Sequence, residues 1–238
     1  MALLDAQGLE KRFGGVHAVR GVDLRVDSGE LVGLFGPNGA GKTTLFNMIA
    51  GSLPPDAGTI AIEGRDVTRM PAWRRARLGI GRTFQVTRPF RDLTVLENVL
   101  AGVPRDGASQ PHDEAAARAL LARVGLESRA AEPAGKLTLG MLKRLEVARV
   151  LALEPSLLLL DEPLAGLTGR EAADLLAFLV TLKSRAGIIM VEHNVRQSLP
   201  VCDRAIVMDA GAVIASGTPE EIRVDRQVVR AYLGEEAT

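Results

Sequence analysis

The chain has a single cysteine, no excess of charge of either sign and no long apolar run. Each lack excludes something. Cys202 alone cannot close an internal disulfide, which fits a reducing compartment, and it reads as a small buried apolar side chain. Lys plus Arg number 29 and Asp plus Glu number 29, so the formal net charge is zero and nucleic acid has no electrostatic claim as the main partner. No apolar stretch approaches the roughly 20 residues that span a bilayer. The segment Met1 to Asp5 has no basic region, apolar region or cleavage site, so no signal peptide is expected. Internal repeats, low-complexity tracts and terminal charge runs are absent from the sequence. What remains is a chain of 238 residues, 47% apolar, enough for one large or two small domains.

The informative stretch is Gly36-Pro37-Asn38-Gly39-Ala40-Gly41-Lys42-Thr43-Thr44. It is a complete phosphate-binding loop, with the apolar run Leu31 to Phe35 before it and a helix-compatible run, Leu45 to Ala50, after it. Glycines let backbone N–H groups close around phosphate oxygens, and a helix N-terminus adds partial positive charge. In such a loop Lys42 reaches the β- and γ-phosphates and the Thr43 hydroxyl can hold Mg²⁺.

Elsewhere, apolar runs of strand length alternate with helical patterns. Leu157 to Leu160, Ile188 to Val191 and Ala205 to Met208 suit strands buried on both faces of a parallel sheet. Leu175, Phe178, Leu179 and Leu182 share one helical face. A helix is expected from about Leu139 to Leu153, with Leu142, Leu145, Ala148 and Ala152 on one face and Lys143, Arg144, Glu146 and Arg149 pointing elsewhere. The region from Val86 to about Leu153 reads as a helical insertion, with patterns at Thr94 to Gly102 and His112 to Val124 around a polar break at Pro104 to Pro111. The start of the chain to about Val26, and Gly58 to Phe84, have shorter alternating β patterns.

A phosphate loop needs partners for Mg²⁺ and for water. The strand-like run ending in Asp161-Glu162 supplies both: Asp161 for the metal shell, and Glu162 as a general base that polarises the attacking water. Gln85 closes a short strand pattern; read alone it is either a surface amide or a contact to Mg²⁺ or water. His193 closes another strand and is either structural or within reach of a γ-phosphate. His17 and His112 have no sequence partners and no assigned role.

The order of these elements resembles the ATP-binding subunits of ABC transporters over essentially the whole chain. Phe13, the loop Gly36 to Thr43, Gln85, a signature segment, Asp161-Glu162 and His193 follow one another at the family's spacings. Within the family, Lys11-Arg-Phe-Gly-Gly-Val16, Arg82-Thr-Phe-Gln-Val86, Phe90 to Asn98, Arg144 to Arg149, Gly217 to Glu221 and the tail from Ala231 are similar to the ATPases of branched-chain amino acid importers.

The resemblance implies a fold and a mechanism. The fold is α/β: a P-loop NTPase core with a parallel sheet, an antiparallel β subdomain and an inserted helical subdomain, all one domain over residues 1–238 with the insertion at about 86–153. Two subunits would meet head to tail with ATP between them, Phe13 stacking on adenine and the signature residues Thr138 and Gly140 meeting the partner's γ-phosphate. Integral membrane permeases would bind through the groove around Gln85, where some of the apolar set Val86, Pro89, Phe90, Leu93, Val95 and Leu96 are expected to be exposed and covered by a permease helix, served indirectly by an extracytoplasmic solute-binding protein. The subunit would then be peripheral, on the cytoplasmic face of the membrane. Two departures stand out. Leu137-Thr-Leu-Gly-Met141 replaces the usual Leu-Ser-Gly-Gly-Gln or Leu-Ser-Tyr-Gly-Gln, and Thr168 stands where Asp or Asn is usual. Met141 offers no amide, so a paralogous second ATPase is favoured over a homodimer. Urea or another amino acid as cargo, and a low-turnover regulatory subunit, are the alternatives.

Overall fold

The computed structural model describes residues 2–84, 89–102 and 111–233. Strands β1 (Ala2–Phe13) and β2 (Val16–Asp27) form a long antiparallel hairpin. Strand β3 (Leu31–Phe35) is buried along its whole length and feeds helix α1 (Lys42–Ala50). Strand β4 (Ala57–Ile62) pairs with β1 and the short β5 (Arg65–Asp66) with β4, which completes a four-stranded antiparallel sheet in the order β2-β1-β4-β5. Helix α2 (Ala72–Ala76) leads into β6 (Ile80–Arg82). Helices α3 (Val95–Leu100), α4 (Pro111–Arg123) and α5 (Leu139–Leu151) follow. The chain then alternates through β7 (Leu157–Asp161), α6 (Gly169–Leu182), β8 (Gly187–Val191), α7 (Val195–Ser198) and β9 (Arg204–Asp209). It ends in β10 (Ala212–Gly217), α8 (Pro219–Val224) and α9 (Arg226–Leu233).

The second sheet has the order β10-β9-β3-β8-β7-β6. Its members from β9 to β6 are parallel, and β10 is antiparallel to β9. The leucine run of β7 shows why such a strand must be central. Leu157 and Leu159 pack with α1 and the antiparallel sheet, while Leu158 and Leu160 pack with α6 on the other face. Burying each of those side chains contributes about 1.5–3 kcal/mol, which an exposed strand would forfeit. Helix α6 buries Leu175, Leu176, Leu179 and Leu182 against this second face. Between β6 and β7, α3, α4 and α5 make a core of their own from Val95 to Ala152, as the helical insertion requires.

Two expectations change. Gly58 to Phe84 is not β throughout: α2 interrupts it, and β6 joins the parallel sheet. The helix expected at Thr94 to Gly102 is shorter, because Thr94 is its N-cap, in a capping box with Glu97. Most of the polar break expected at Pro104 to Pro111 lies outside the described residues.

Arg75 had no motif to announce it. Its side chain is wholly buried on α2 and caps the end of the phosphate-loop helix. Nη1 donates to the Met48 and Ile49 carbonyls at 2.8 and 2.7 Å, Nε to Met70 O at 2.9 Å and Nη2 to Thr68 O at 3.1 Å. A cation at a helix C-terminus also complements the helix dipole. Burial lowers its pKa to about 10, still far above neutrality, so it stays charged. Arg75→Met should destabilise the chain by on the order of 3 kcal/mol in urea titration, because it strands buried carbonyls.

Cys202 is buried as expected, its Sγ donating to Ser198 O at 3.3 Å. Burial, with Asp203 nearby, pushes the thiol up to about 12. A maleimide probe should therefore label the native chain at least about a hundredfold more slowly than the urea-unfolded chain.

Candidate active site

Every parallel strand delivers its following loop to the same edge of the sheet. In register, Asp161 lies beside Val191, Val191 beside Leu34, and Phe35 beside Val207. The phosphate loop after β3, Glu162 after β7 and His193 after β8 therefore meet, as open parallel sheets arrange at the carboxyl ends of their strands.

The loop itself is held by contacts only glycine permits. Gly36 has φ 141, and a Cβ there would lie 2.1 Å from Met208 O. Gly41 has φ 97, with a Cβ position 2.3 Å from Ala18 O on β2. Lys42 is 5% exposed and donates to Gly36 O at 2.6 Å and Pro37 O at 2.8 Å, so the loop curls around its own lysine. No side chain caps α1 and its first turn carries no acid, which leaves a helix N-terminus suited to an anion.

An open cleft of about 390 Å³ lies over this loop. Asn38, Gly39, Ala40, Gly41, Lys42, Thr43 and Thr44 line one side, and Glu162 and His193 close it. Val16, His17 and Arg20 on β2 form another wall, so His17, given no role from sequence, faces the cleft. Phe13 does not line it; the ring is half-exposed across the hairpin turn, paired with Val16, with the Lys11 ammonium 5.8 Å from its centre. Thr138 and Gly140 are also outside the cleft lining, at the start of α5. Gln85 lies outside the described residues.

Glu162, like Ala210 in the same cleft lining, is a strained point. Its backbone has φ 47, uncommon for a residue with a side chain. Four contacts hold it there. Its N–H donates to Val191 O at 3.0 Å, and its carbonyl accepts from Ala165 N at 3.2 Å and from Lys143 Nζ at 3.2 Å. Its Oε1 lies 2.7 Å from His193 Nε2, and a carboxylate there calls for the proton on Nε2. Asp161 is buried behind it, with Oδ2 3.3 Å from Arg82 Nη2 and its N–H on the Thr83 hydroxyl at 3.1 Å. Burial raises the Asp161 pKa, and the Arg82 guanidinium works against that. Arg82 also lies over the Phe46 and Phe84 rings, at 5.0 and 5.2 Å.

The donor set suits a hard cation. Thr43 lines the cleft and offers a hydroxyl; Asp161, outside that lining and paired with Arg82, offers a carboxylate; among the described residues no cluster of three or more acids, His or Cys could hold a metal alone. Mg²⁺ fits such a place because it shares its shell with phosphate oxygens and water.

Sequence reading missed several residues around this site. Glu192 is 3% exposed and accepts from Leu164 N at 2.8 Å and His193 N at 3.3 Å, fixing the turns after β7 and β8 against each other. Burial raises its pKa. Lys143 and Glu146 do point away from the α5 face that carries Leu145, but inward, at 4% and 8% exposure. Helical periodicity cannot tell a solvated face from one buried against a second layer. Thr168, the other departure, caps α6 in a capping box with Glu171, a task Asp or Asn performs equally well.

Comparison with known proteins agrees with this geometry. The ABC transporter family model matches residues 19–165. The chain belongs to the ABC transporter family. It is a transport ATPase of the ATP-binding cassette type. A second model, for branched-chain amino acid ATP-binding cassette transporters, matches residues 212–238. The high-affinity branched-chain amino acid transport ATP-binding protein BraF of Pseudomonas aeruginosa is 38% identical, with 98% of each chain covered. The lipopolysaccharide export system ATP-binding protein LptB of Escherichia coli K12 is 42% identical, with 99% of each covered. The structure of the ADP conformation of MJ1267, an ATP-binding cassette of an ABC transporter, superposes with a TM-score of 0.90 at 31% identity, covering 98% and 99% of the two chains.

Two loop glycines should respond differently to substitution. Gly41→Ala places a methyl against a backbone carbonyl and should lower ATP affinity at least about tenfold in a fluorescent-nucleotide titration, with circular dichroism unchanged. A Cβ at Gly39 meets nothing within 4 Å, so Gly39→Ala should cost only the left-handed backbone term, about 1–2 kcal/mol.

Proposed function

We propose that this ATPase powers the import of branched-chain amino acids through partner membrane permeases. The observation that carries the cargo is the match of residues 212–238 to the branched-chain amino acid cassette model. The similarity to BraF supports it. The similarity to LptB supports a second reading, an exporter ATPase. Reconstitution tests the two. With branched-chain permeases and their binding protein in proteoliposomes, leucine should raise ATP turnover several-fold. Turnover indifferent to leucine, together with assembly on lipopolysaccharide-export permeases, would overturn the import reading.

At the site, Lys42 exchanges its two loop carbonyls for the β- and γ-phosphates of ATP. The Glu162 carboxylate takes a proton from water as the water oxygen attacks the γ-phosphorus and ADP departs. His193 orients that carboxylate. Thr43 and Asp161 hold Mg²⁺, which when bound neutralises phosphate charge; Gln85 is proposed to reach the same shell. Phe13 flanks the adenine.

Thr138 and Gly140 serve the ATP of a second subunit, a paralogue or another copy of this chain. Permeases dock beside Phe84, Phe90 and Leu93, which are 57%, 49% and 37% exposed. The buried Asn98 supports that surface: its amide accepts from Phe90 N and donates to the Phe90, Leu93 and Thr94 carbonyls. Val95 packs inside instead. Among the described residues no helix is long and apolar enough to cross a membrane, which suits a peripheral subunit.

Glu162→Gln should keep ATP affinity and lose most turnover, since an amide accepts no proton. Lys42→Ala should weaken ATP binding itself by on the order of 2–3 kcal/mol. Turnover by Glu162→Gln at the parental rate would remove Glu162 from the role of base.

A further inference from the structure

Helix α5 has two buried faces. One carries Leu145, Ala148 and Ala152 into the helical core. The other is the stripe Lys143, Glu146, Val147 and Val150, at the i, i+3, i+4, i+7 spacing of a single face. Val147 and Val150 on this stripe pack with Leu158, Leu160 and α6. The two charged residues of the stripe are driven under the same surface, at 4% and 8% exposure, and each ends on backbone. Glu146 Oε1 accepts the Phe84 N–H at 2.8 Å, and Lys143 Nζ donates to Glu162 O at 3.2 Å.

We propose that Glu146 and Lys143 are positioning residues: from one face of the helix that begins at Thr138, they hold the main chain at Phe84 and at Glu162. The first contact fixes the chain just beyond β6. Its neighbours Thr83 and Arg82 are already tied to Asp161, Thr83 through the Asp161 N–H and Arg82 by its guanidinium. The second supports the carbonyl of Glu162, a site residue with a side chain held at positive φ, 47. A displacement of α5 therefore moves both segments together. Because α5 starts at the signature, its engagement by a second subunit reaches the Glu162 carboxylate of the same chain through Lys143.

The kinetic part rests on the reading of Glu162 as the base; the structural part does not. Four variants of the full chain test it: Glu146→Ala, Glu146→Gln, Lys143→Met and Lys143→Arg. Hydrogen exchange at the Phe84 amide should quicken at least about tenfold in Glu146→Ala and stay near parental in Glu146→Gln, which keeps an acceptor oxygen. ATP turnover should fall about tenfold or more in Glu146→Ala and Lys143→Met, with ATP affinity within about twofold of parental. Gln and Arg should restore most of it. If Glu146→Ala does not fold, Glu146→Asp replaces it: that variant keeps the charge and withdraws the oxygen by one methylene, so it should show the same local exchange.

Parental turnover in folded Glu146→Ala and Lys143→Met would overturn the proposal. So would a fall in turnover matched by equal losses of ATP affinity and thermal stability, because that is the pattern of a merely structural pair. Failure of the base assignment is separate: it would show as normal turnover in Glu162→Gln while exchange at Phe84 still followed Glu146.

Discussion

The parallel register of β3, β8 and β7 is the constraint on which the site depends. Hydrogen bonds between these strands set Leu34, Val191 and Asp161 level with one another. The phosphate loop, Glu162 and His193 start from those positions, so their separation is decided by ladder geometry rather than by loop length. A slip of one residue along β7 would turn Leu158 and Leu160 to the opposite face and carry Asp161 away from the loop. The apolar cores on both sides of the sheet oppose that slip.

Around this rigid edge the backbone is held in conformations that local propensity disfavours. Gly36 and Gly41 approach carbonyls on β9 and β2 too closely for any side chain. Glu162 takes a positive φ although it is not glycine. Such a residue stays in place only when several neighbours restrain it, and here Val191 at the end of β8, His193 in the turn that follows and Lys143 on α5 do so. His193 also holds the Glu162 carboxylate at the wall of the cleft that both residues line.

The buried charges follow one pattern. Arg75, Lys143, Glu146 and Glu192 each use hydrogen bonds to main-chain groups at a turn or helix end. A buried charge is costly unless hydrogen-bonded, and an exposed turn leaves backbone groups without ladder partners. Each therefore satisfies the other. The result ties the turns around the nucleotide cleft to helices packed behind the sheet.

His193 was open on its residues alone and was singled out only by the family resemblance, whereas the phosphate loop and Asp161-Glu162 were legible in the sequence because their signal is local: a glycine spacing, or an acid closing an apolar run. The strands and the three insertion helices were legible for the same reason, since hydrophobic period is carried by near neighbours. The family resemblance added their order. The course from Gly58 to Phe84 was not legible, because whether β6 joins one sheet or the other depends on β7, more than 70 residues further along. Nor were Arg75, Lys143, Glu146 and His17. A charged residue on a helix has the same period whether it meets water or a second buried layer, and only the packed sheet behind α5 and α2 decides which. The distance from Glu162 to His193 likewise belongs to the tertiary structure: two residues 31 positions apart come within 2.7 Å only because β7 and β8 are neighbours in one ladder.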